Sequence, residues 1–245
     1  MSDDAHAPRV ASVSPSYPRP ARYPGRLIVV EGIDGSGKST QLRLLMQWLQ
    51  ARGHPVYLTA WNSSTLVHRT LKRAKRNMAL TPTTFSLLHA ADLAVRLERD
   101  ILPRLRAGQV VLADRWVPTA FARDQARSLD AQWLRQAYAF APKPHLAVYF
   151  RVPVDEAVSR ILAGRHRLRY YEAGSDLQLD PDPQVSFRMF QRRVQLHYEA
   201  MVQAGELAVL DGLAPVAVQQ AELRHLLEDI LKRQPRTSGV ALPRP

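Results

Sequence analysis

The chain of 245 residues is 46% hydrophobic, enough for a full core in one domain, and its lack of cysteine excludes a disulfide scaffold, a thiolate zinc site and a cysteine nucleophile. Its formal net charge of +12 suits a polyanionic partner such as nucleotide phosphates, nucleic acid or an acidic membrane. No stretch approaches the ~20 apolar residues that span a bilayer and no apolar signal core is present, so we expect a cytoplasmic protein that does not enter a membrane.

Proline-rich segments mark both ends of the chain. Residues 1–24 carry five prolines among small and polar residues, and residues 234–245 carry three more. This composition cannot form a packed core, so both segments are predicted to be flexible tails. One folded domain is expected over residues 25–233.

Short apolar runs alternate with helical patterns inside this domain. The predicted strands cover residues 27–30, 56–58, 110–113, 146–150 and 207–210, and the predicted helices cover 38–52, 65–77, 82–107, 131–140, 154–163, 184–204 and 215–233. Continuously apolar strands are typical of a parallel sheet with both faces covered. The pattern predicts a doubly wound α/β fold around a five-stranded parallel sheet, with ligands at the carboxyl ends of the strands.

A phosphate-binding loop follows the first predicted strand. Gly32 to Ser39 fits G-x-x-x-x-G-K-[ST], with a strand before it and a helix after it. Backbone N–H groups of such a loop surround phosphate oxygens, a lysine at the place of Lys38 reaches the β- and γ-phosphates, and a hydroxyl at the place of Ser39 binds Mg²⁺. The predicted ATP-binding set is Gly32, Asp34, Gly35, Ser36, Gly37, Lys38, Ser39 and Thr40.

A carboxylate should lie beside this magnesium at the end of a neighbouring strand. Asp114 directly follows the strand predicted at residues 110–113, and Arg115 follows Asp114. We therefore predict a metal site formed by Ser39 and Asp114, with Arg115 at the same edge of the sheet. A plain surface Asp-Arg pair that ends a strand is the alternative.

With these motifs in place, the chain resembles the thymidylate kinases from about Leu27 to Gly212. Residues 31–41 (EGIDGSGKSTQ) look like the opening motif of that family, residues 87–92 (LLHAAD) and 101–108 resemble its acceptor-site helix, and residues 114–121 match its Asp-Arg-aromatic segment. Several segments in the same order are much more specific than the loop alone.

The resemblance implies transfer of the γ-phosphoryl group from Mg-ATP to a nucleoside monophosphate, with dTMP to dTDP as the expected reaction, and a homodimer. Asp34 would face the acceptor, while Lys72 and Arg115 take positions that hold the acceptor phosphate. The acceptor-binding set implied in this way is Asp34, Trp61, Lys72, His89, Arg115, Thr119 and Arg123.

A basic lid is predicted over residues 160–180, because such kinases close a basic segment over ATP and exclude water. Gly35 replaces an arginine that some relatives carry in the loop, so the catalytic arginine should come from residues 160–169. Arg165 and Arg167 are the candidates, and with Lys38, Asp114 and Arg115 they complete the predicted catalytic set. We expect the lid to be mobile without nucleotide.

The departures from the family pattern concentrate at the acceptor base. His89 stands where the family has a base-stacking phenylalanine, Leu93 where it has a base-reading arginine, and Arg123-Asp124 where it has Tyr-Gln. His89 could still stack on a base, with Trp61 as a second platform, or it could be an ordinary helix residue. We expect detectable thymidylate kinase activity with a weaker preference for thymine than the family norm.

Two other functions remain open at this point. One is a related P-loop kinase with another nucleotide or a non-nucleotide phosphate as acceptor. The other is an ATP-responsive nucleic-acid-binding or regulatory protein, favoured by the net charge and by a basic helical face at Arg69, Lys72, Arg73 and Arg76.

Overall fold

The computed structural model describes residues 23–77, 80–164 and 168–232. Five parallel strands form one sheet in the order β2-β3-β1-β4-β5. Their bounds are β1 Arg26–Glu31, β2 Val56–Ala60, β3 Val110–Asp114, β4 Leu146–Arg151 and β5 Ala208–Asp211. The predicted α/β fold and all five predicted strands are confirmed.

Helices connect the strands and cover both faces of the sheet. In chain order they are α1 Lys38–Ala51, α2 His68–Arg76, α3 Pro82–Arg96, α4 Leu102–Arg106, α5 Val117–Gln125, α6 Ala131–Ala137, α7 Val154–Gly164, α8 Pro183–Gln203 and α9 Val216–Lys232. A short 3₁₀ turn lies at Ser175–Leu177. The predicted helices agree with these bounds to within three residues at their ends, except in the two regions described below.

The first difference is α5, which no predicted helix covered. Every residue from Val117 to Asp124 is buried, so the segment lacks the alternation of buried and exposed positions that marks a surface helix. Pro118 is compatible with the first turn of a helix because no intrahelical partner is lost there. α5 packs between α3 and α8.

The second difference lies in the helix predicted over residues 82–107. A π-helical turn at Leu97–Ile101 joins α3 to α4, and the N–H of Leu102 donates to the carbonyl of Leu97. Pro103 follows directly and has no N–H to donate. A π turn places one extra residue in the helix, and here it joins α3 to α4 with no loop between them.

Alternate residues of β1 divide the core between the two faces of the sheet. Ile28 and Val30 pack with Leu45 of α1 and Leu223 of α9, whereas Leu27 and Val29 belong to the core beneath α3, α5 and α8. Because β1 and β3 are neighbouring parallel strands, the phosphate loop and the end of β3 meet at one edge of the sheet.

The two predicted tails lie almost entirely outside the described residues. Tyr23 is an exception, because it packs against the core, and the N–H of Gly25 donates to the carbonyl of Leu105. Tyr23, which was predicted to lie in the first tail, therefore packs onto the domain. Among the described helices, none combines the length and the apolar character needed to cross a membrane.

Candidate active site

The loop between β1 and α1 has the backbone that its glycines allow. Gly35 and Gly37 have φ angles of 86° and 87°, in the left-handed region that favours glycine. A Cβ on Gly35 would stand 2.4 Å from the carbonyl oxygen of Ala157 in α7, so this position is closed to any side chain. The arginine that some relatives carry at this position has no room here.

Lys38 lies folded back into the loop. Its Nζ donates to the carbonyls of Gly32 and Ile33 at 2.9 and 2.7 Å and to Oγ of Ser36 at 2.9 Å. The residue is buried, with only 5% of its surface exposed. Burial lowers the pKa of Lys38 to about 7, helped by the neighbouring Arg115 and opposed by nearby carboxylates.

Ser39 and Asp114 come together as predicted. Oγ of Ser39, in the first turn of α1, donates to Oδ2 of Asp114, at the end of β3, at 2.7 Å. Both oxygens lie next to the loop that would hold the phosphates. A hydroxyl and a carboxylate are suitable donors for Mg²⁺, which prefers oxygen ligands and keeps several of its waters.

A buried carboxylate that sequence reasoning missed lies behind the loop. Glu31, the last residue of β1, accepts hydrogen bonds from the N–H of Trp116 at 2.7 Å and from the hydroxyls of Thr119 and Tyr198 at 2.5 and 2.9 Å. Burial raises the pKa of Glu31 to about 7, against the opposing effect of these donors and of Arg115. The network anchors the start of α5 beside β1.

Arg115 lies at the junction of the loop with the remainder of the site. Its backbone is left-handed, with φ at 75°, and its Nη1 donates to the carbonyl of Gly32 at 2.9 Å. Its Nη2 pairs with Asp34, whose other carboxylate oxygen pairs with Arg123 at 2.7 Å. Burial alone would raise the pKa of Asp34, but Arg123, Arg115 and Lys38 outweigh it and lower this pKa.

A cavity of about 730 Å³ opens beside this junction. All seven residues of the predicted acceptor-binding set line it: Asp34, Trp61, Lys72, His89, Arg115, Thr119 and Arg123. Six lysine and arginine side chains line it against two carboxylates, so the cavity suits an anionic ligand. The roles assigned to these residues stay predictions.

Only some residues of the basic face of α2 line the cavity. Lys72 and Arg76 line the cavity together with Lys75, whereas Arg69 and Arg73 are exposed and do not line it. Lys75 was missed, although its spacing from Lys72 places both on one side of the helix. Burial lowers the pKa of Lys75 to about 8, with further contributions from Arg123 and from Arg127 of the loop after α5.

His89 is buried against aromatic side chains at the cavity wall. Its ring centroid is 4.3 Å from that of Phe85, one turn earlier in α3, and Phe85 lies 5.0 Å from Tyr171. Nε1 of Trp61 donates to Nδ1 of His89 at 2.6 Å. One face of His89 is therefore already occupied, and Trp61 is bonded to it rather than free as a separate platform.

Leu93 cannot stand in for a base-reading side chain. It is fully buried in the core beneath the sheet, away from the cavity lining. An arginine introduced there would place its charge among apolar side chains. Asp124 is also buried and does not line the cavity, so of the predicted Arg123-Asp124 pair only Arg123 reaches it.

The predicted lid is described only in part, since Arg165 and Arg167 lie outside the described residues. Arg160 is near the loop: a Cβ on Gly37 would stand 4.0 Å from its Nη1. Residues 168–177 are held in place by Arg127, which pairs with Asp176 at 2.7 Å and donates to the carbonyl of Tyr171 at 3.0 Å. This half of the lid is packed onto the domain.

The cavity residues that the predicted set missed include Lys75, Phe85 and Tyr171, and Arg127, which does not line the cavity, holds Tyr171 in place. The i, i+4 spacing of Phe85 and His89 on a predicted helix was a usable signal for a shared aromatic face. Arg127 had no such signal, because the groups it holds lie more than 40 positions later in the chain.

The part of the chain that carries the site is similar in sequence to known proteins. A family model described as thymidylate kinase matches residues 30–221. The chain is 40% identical over 208 residues to the probable thymidylate kinase 2 of Saccharolobus solfataricus, and the aligned region covers 84% of this chain and 97% of the relative. It is 33% identical over 199 residues to the probable thymidylate kinase of Pyrococcus abyssi, covering 78% and 90%.

A third relative is aligned over nearly its whole length. The probable thymidylate kinase of Thermococcus onnurineus is 31% identical over 217 residues, covering 84% of this chain and 99% of the relative. All three relatives carry kinase names, so they give no support to the alternative of an ATP-responsive binding protein.

Proposed function

Because this chain belongs to the thymidylate kinase family, and is therefore a nucleoside monophosphate kinase, we propose that it transfers the γ-phosphoryl group of ATP to dTMP and forms dTDP. The observation that carries this proposal is a contact between the phosphate loop and the acceptor cavity. Arg115 touches the phosphate loop through Gly32 and the acceptor cavity through Asp34. Donor and acceptor phosphates bound on either side of Arg115 would lie next to each other.

The donor half of the reaction rests on the loop. Backbone N–H groups from Gly32 to Thr40 surround the phosphates of ATP, and Lys38 leaves its carbonyl partners to follow the γ-phosphoryl group. This exchange favours binding, because the buried ammonium gains anionic partners in place of neutral ones.

Ser39 and Asp114 hold Mg²⁺ in this proposal, either directly or through its waters. The metal, when bound with ATP, neutralises charge on the β- and γ-phosphates. The protein supplies the oxygen atoms, fixed at the first turn of α1 and at the end of β3, and thereby sets where the phosphates lie.

The acceptor half rests on the cationic cavity. Lys72, Arg76 and Arg115 provide charge for the 5′-phosphate, and the aromatic wall at Trp61, Phe85 and His89 provides an apolar surface for the base. In-line transfer needs little beyond such positioning and charge stabilisation, so no side chain has to act as a nucleophile.

The predicted lid completes the site over ATP. Gly35 cannot carry a side chain, so an arginine from residues 160–169 neutralises the transferring group. Arg160, Arg165 and Arg167 are the candidates, with Arg160 already near Gly37. A homodimer is the proposed assembly, to be checked by light scattering of the full chain.

Coupled ADP release tests the proposal. With Mg-ATP present, dTMP should be the best acceptor among the common ribo- and deoxyribonucleoside monophosphates. Lys38→Ala should abolish turnover, because it removes the buried ammonium that follows the γ-phosphoryl group. Arg43→Ala, at an exposed position of the same helix, is the matched control and should keep normal activity.

Two results would count against the proposal. Near-normal turnover by folded Lys38→Ala protein would exclude the phosphate-loop mechanism. Turnover with a different monophosphate and none with dTMP would keep the kinase class and replace the acceptor.

A further inference from the structure

The protonation of His89 is set by its neighbour. Nε1 of Trp61 is 2.6 Å from Nδ1 of His89, and an indole nitrogen can only donate a hydrogen bond. Nδ1 must therefore accept, so it carries no proton. The ring proton is then on Nε2, and His89 is a neutral imidazole with one fixed donor.

The surroundings keep this state. Burial places the pKa of His89 well below its usual value, and the cationic side chains of Lys75, Arg123, Arg127 and Arg96 lower it further. A second proton would also put two N–H groups face to face at Trp61. His89 is therefore neutral throughout the physiological pH range.

Trp61 is itself held in place from two sides. Its backbone N–H donates to the carbonyl of Asp114 at 3.0 Å, and three residues later the N–H of Ser64 donates to Asp92 of α3 at 3.0 Å. Asp92 also pairs with Arg96, a buried ion pair at 2.8 Å. The segment that carries the indole is thus fastened to the sheet and to the helix of His89.

The remaining donor of His89 is Nε2. Nε2 is buried and makes no hydrogen bond within the part of the chain that the structure describes, although His89 lines the cavity. A buried donor left unpaired costs free energy, because it has given up its hydrogen bond to water without replacing it. A ligand that brings an acceptor atom to Nε2 recovers this cost, and one that brings a donor does not.

We propose that His89, fixed by Trp61 as an Nε2–H donor, selects acceptor bases with a carbonyl oxygen at position 4 of the pyrimidine, so that thymine and uracil are accepted and cytosine is rejected. This inference rests on the proposed function, since it needs a nucleotide base in the cavity. The amino group of cytosine would face Nε2–H with another donor, so the amino group would lose its hydrogen bond to water and Nε2–H would stay unpaired.

Nε2 of His89 is not accessible to solvent in the free protein. Because the atom is closed off from solvent, a base can reach it only if the side chains packed around it move. Recognition of the carbonyl therefore occurs in a dry environment, where a mismatched donor is penalised most strongly.

The kinetic test compares kcat/KM for dTMP and for dCMP. The wild type should prefer dTMP by on the order of 100-fold, as expected when a buried donor meets the wrong group. His89→Phe keeps a ring but removes the donor, and Trp61→Phe keeps a ring but frees Nδ1 to take the proton. In both variants the ratio should fall by about tenfold or more. Trp133→Phe, away from the cavity, should keep the wild-type ratio.

Nitrogen NMR of the His89 ring provides a readout that needs no turnover. The free wild type should show a protonated Nε2 and an unprotonated Nδ1, and dTMP alone should shift the Nε2–H signal while dCMP does not. Trp61→Phe should change the tautomer. These spectra decide the inference even if His89→Phe fails to fold or no monophosphate is phosphorylated, a result that would overturn the proposed function separately.

Three results would overturn the role of His89. They are a proton on Nδ1 in the free wild type, an Nε2–H signal that dTMP leaves unchanged, and an unaltered dTMP to dCMP ratio in both folded variants.

Discussion

The buried ammonium of Lys38 should make ATP binding depend on pH. Its pKa is lowered to about 7 in the free protein, so at pH 8 about 0.9 of the molecules carry a neutral lysine. Phosphates restore the charged form, because opposite charges close to the ammonium favour it. Binding at pH 8 should therefore take up about 0.9 proton, and the association constant for Mg-ATP should fall about tenfold between pH 8 and pH 9.

Calorimetry in buffers with different ionisation enthalpies measures this uptake directly. Above pH 8 the phosphates of ATP are already fully ionised, so they do not contribute. Lys38→Arg is the matched control, because a guanidinium stays charged throughout this range and should bind with little dependence on pH. Equal proton uptake by wild type and Lys38→Arg would refute the assignment and indicate another group, with Glu31 the nearest candidate.

Three further perturbations follow from the geometry. Asp114→Asn should raise the Mg²⁺ concentration for half-maximal turnover by about tenfold or more, measured by metal titration, and an unchanged titration would argue against the metal site. Gly35→Ala should lower the free energy of unfolding, measured in denaturant, by about 1–3 kcal/mol more than Gly205→Ala does. Both glycines have positive φ, but only at Gly35 would the new Cβ touch a carbonyl oxygen, that of Ala157. Equal costs for the two variants would contradict this. The folded-state pKa of Glu31 is raised to about 7, so protonated Glu31 stabilises the fold fully below its unfolded pKa, and about 3 kcal/mol of this stability is lost as the pH rises to 7. Glu31→Gln should remove this dependence of the melting temperature on pH. An unchanged dependence would assign it to another group.

The donor side of the site could be predicted from sequence because its parts are adjacent in the chain. A strand, a glycine-rich turn and a helix N-terminus place Gly32 to Ser39 by local geometry alone. Asp114 needed one more step, that the carboxyl ends of parallel strands share an edge of the sheet.

The acceptor side could be predicted only in outline. Positions for Trp61, Lys72 and His89 came from the resemblance, and they do line one cavity. Their contacts could not be derived, because the hydrogen bond from Trp61 to His89 joins residues 28 positions apart and depends on how the turn after β2 packs against α3. The missing prediction of α5 has a similar cause, since complete burial hides the period of a helix.

The pairing of Asp34 with two arginines affects which anions can occupy the empty protein. Each guanidinium already has a carboxylate partner, so a small inorganic anion that enters gains attraction to Arg115 and Arg123 only by displacing an equivalent charge. A nucleotide also brings a base and a sugar, whose burial adds free energy that an inorganic ion lacks. In the proposed reaction, the carboxylate would therefore weaken the binding of small inorganic anions more than that of a nucleotide.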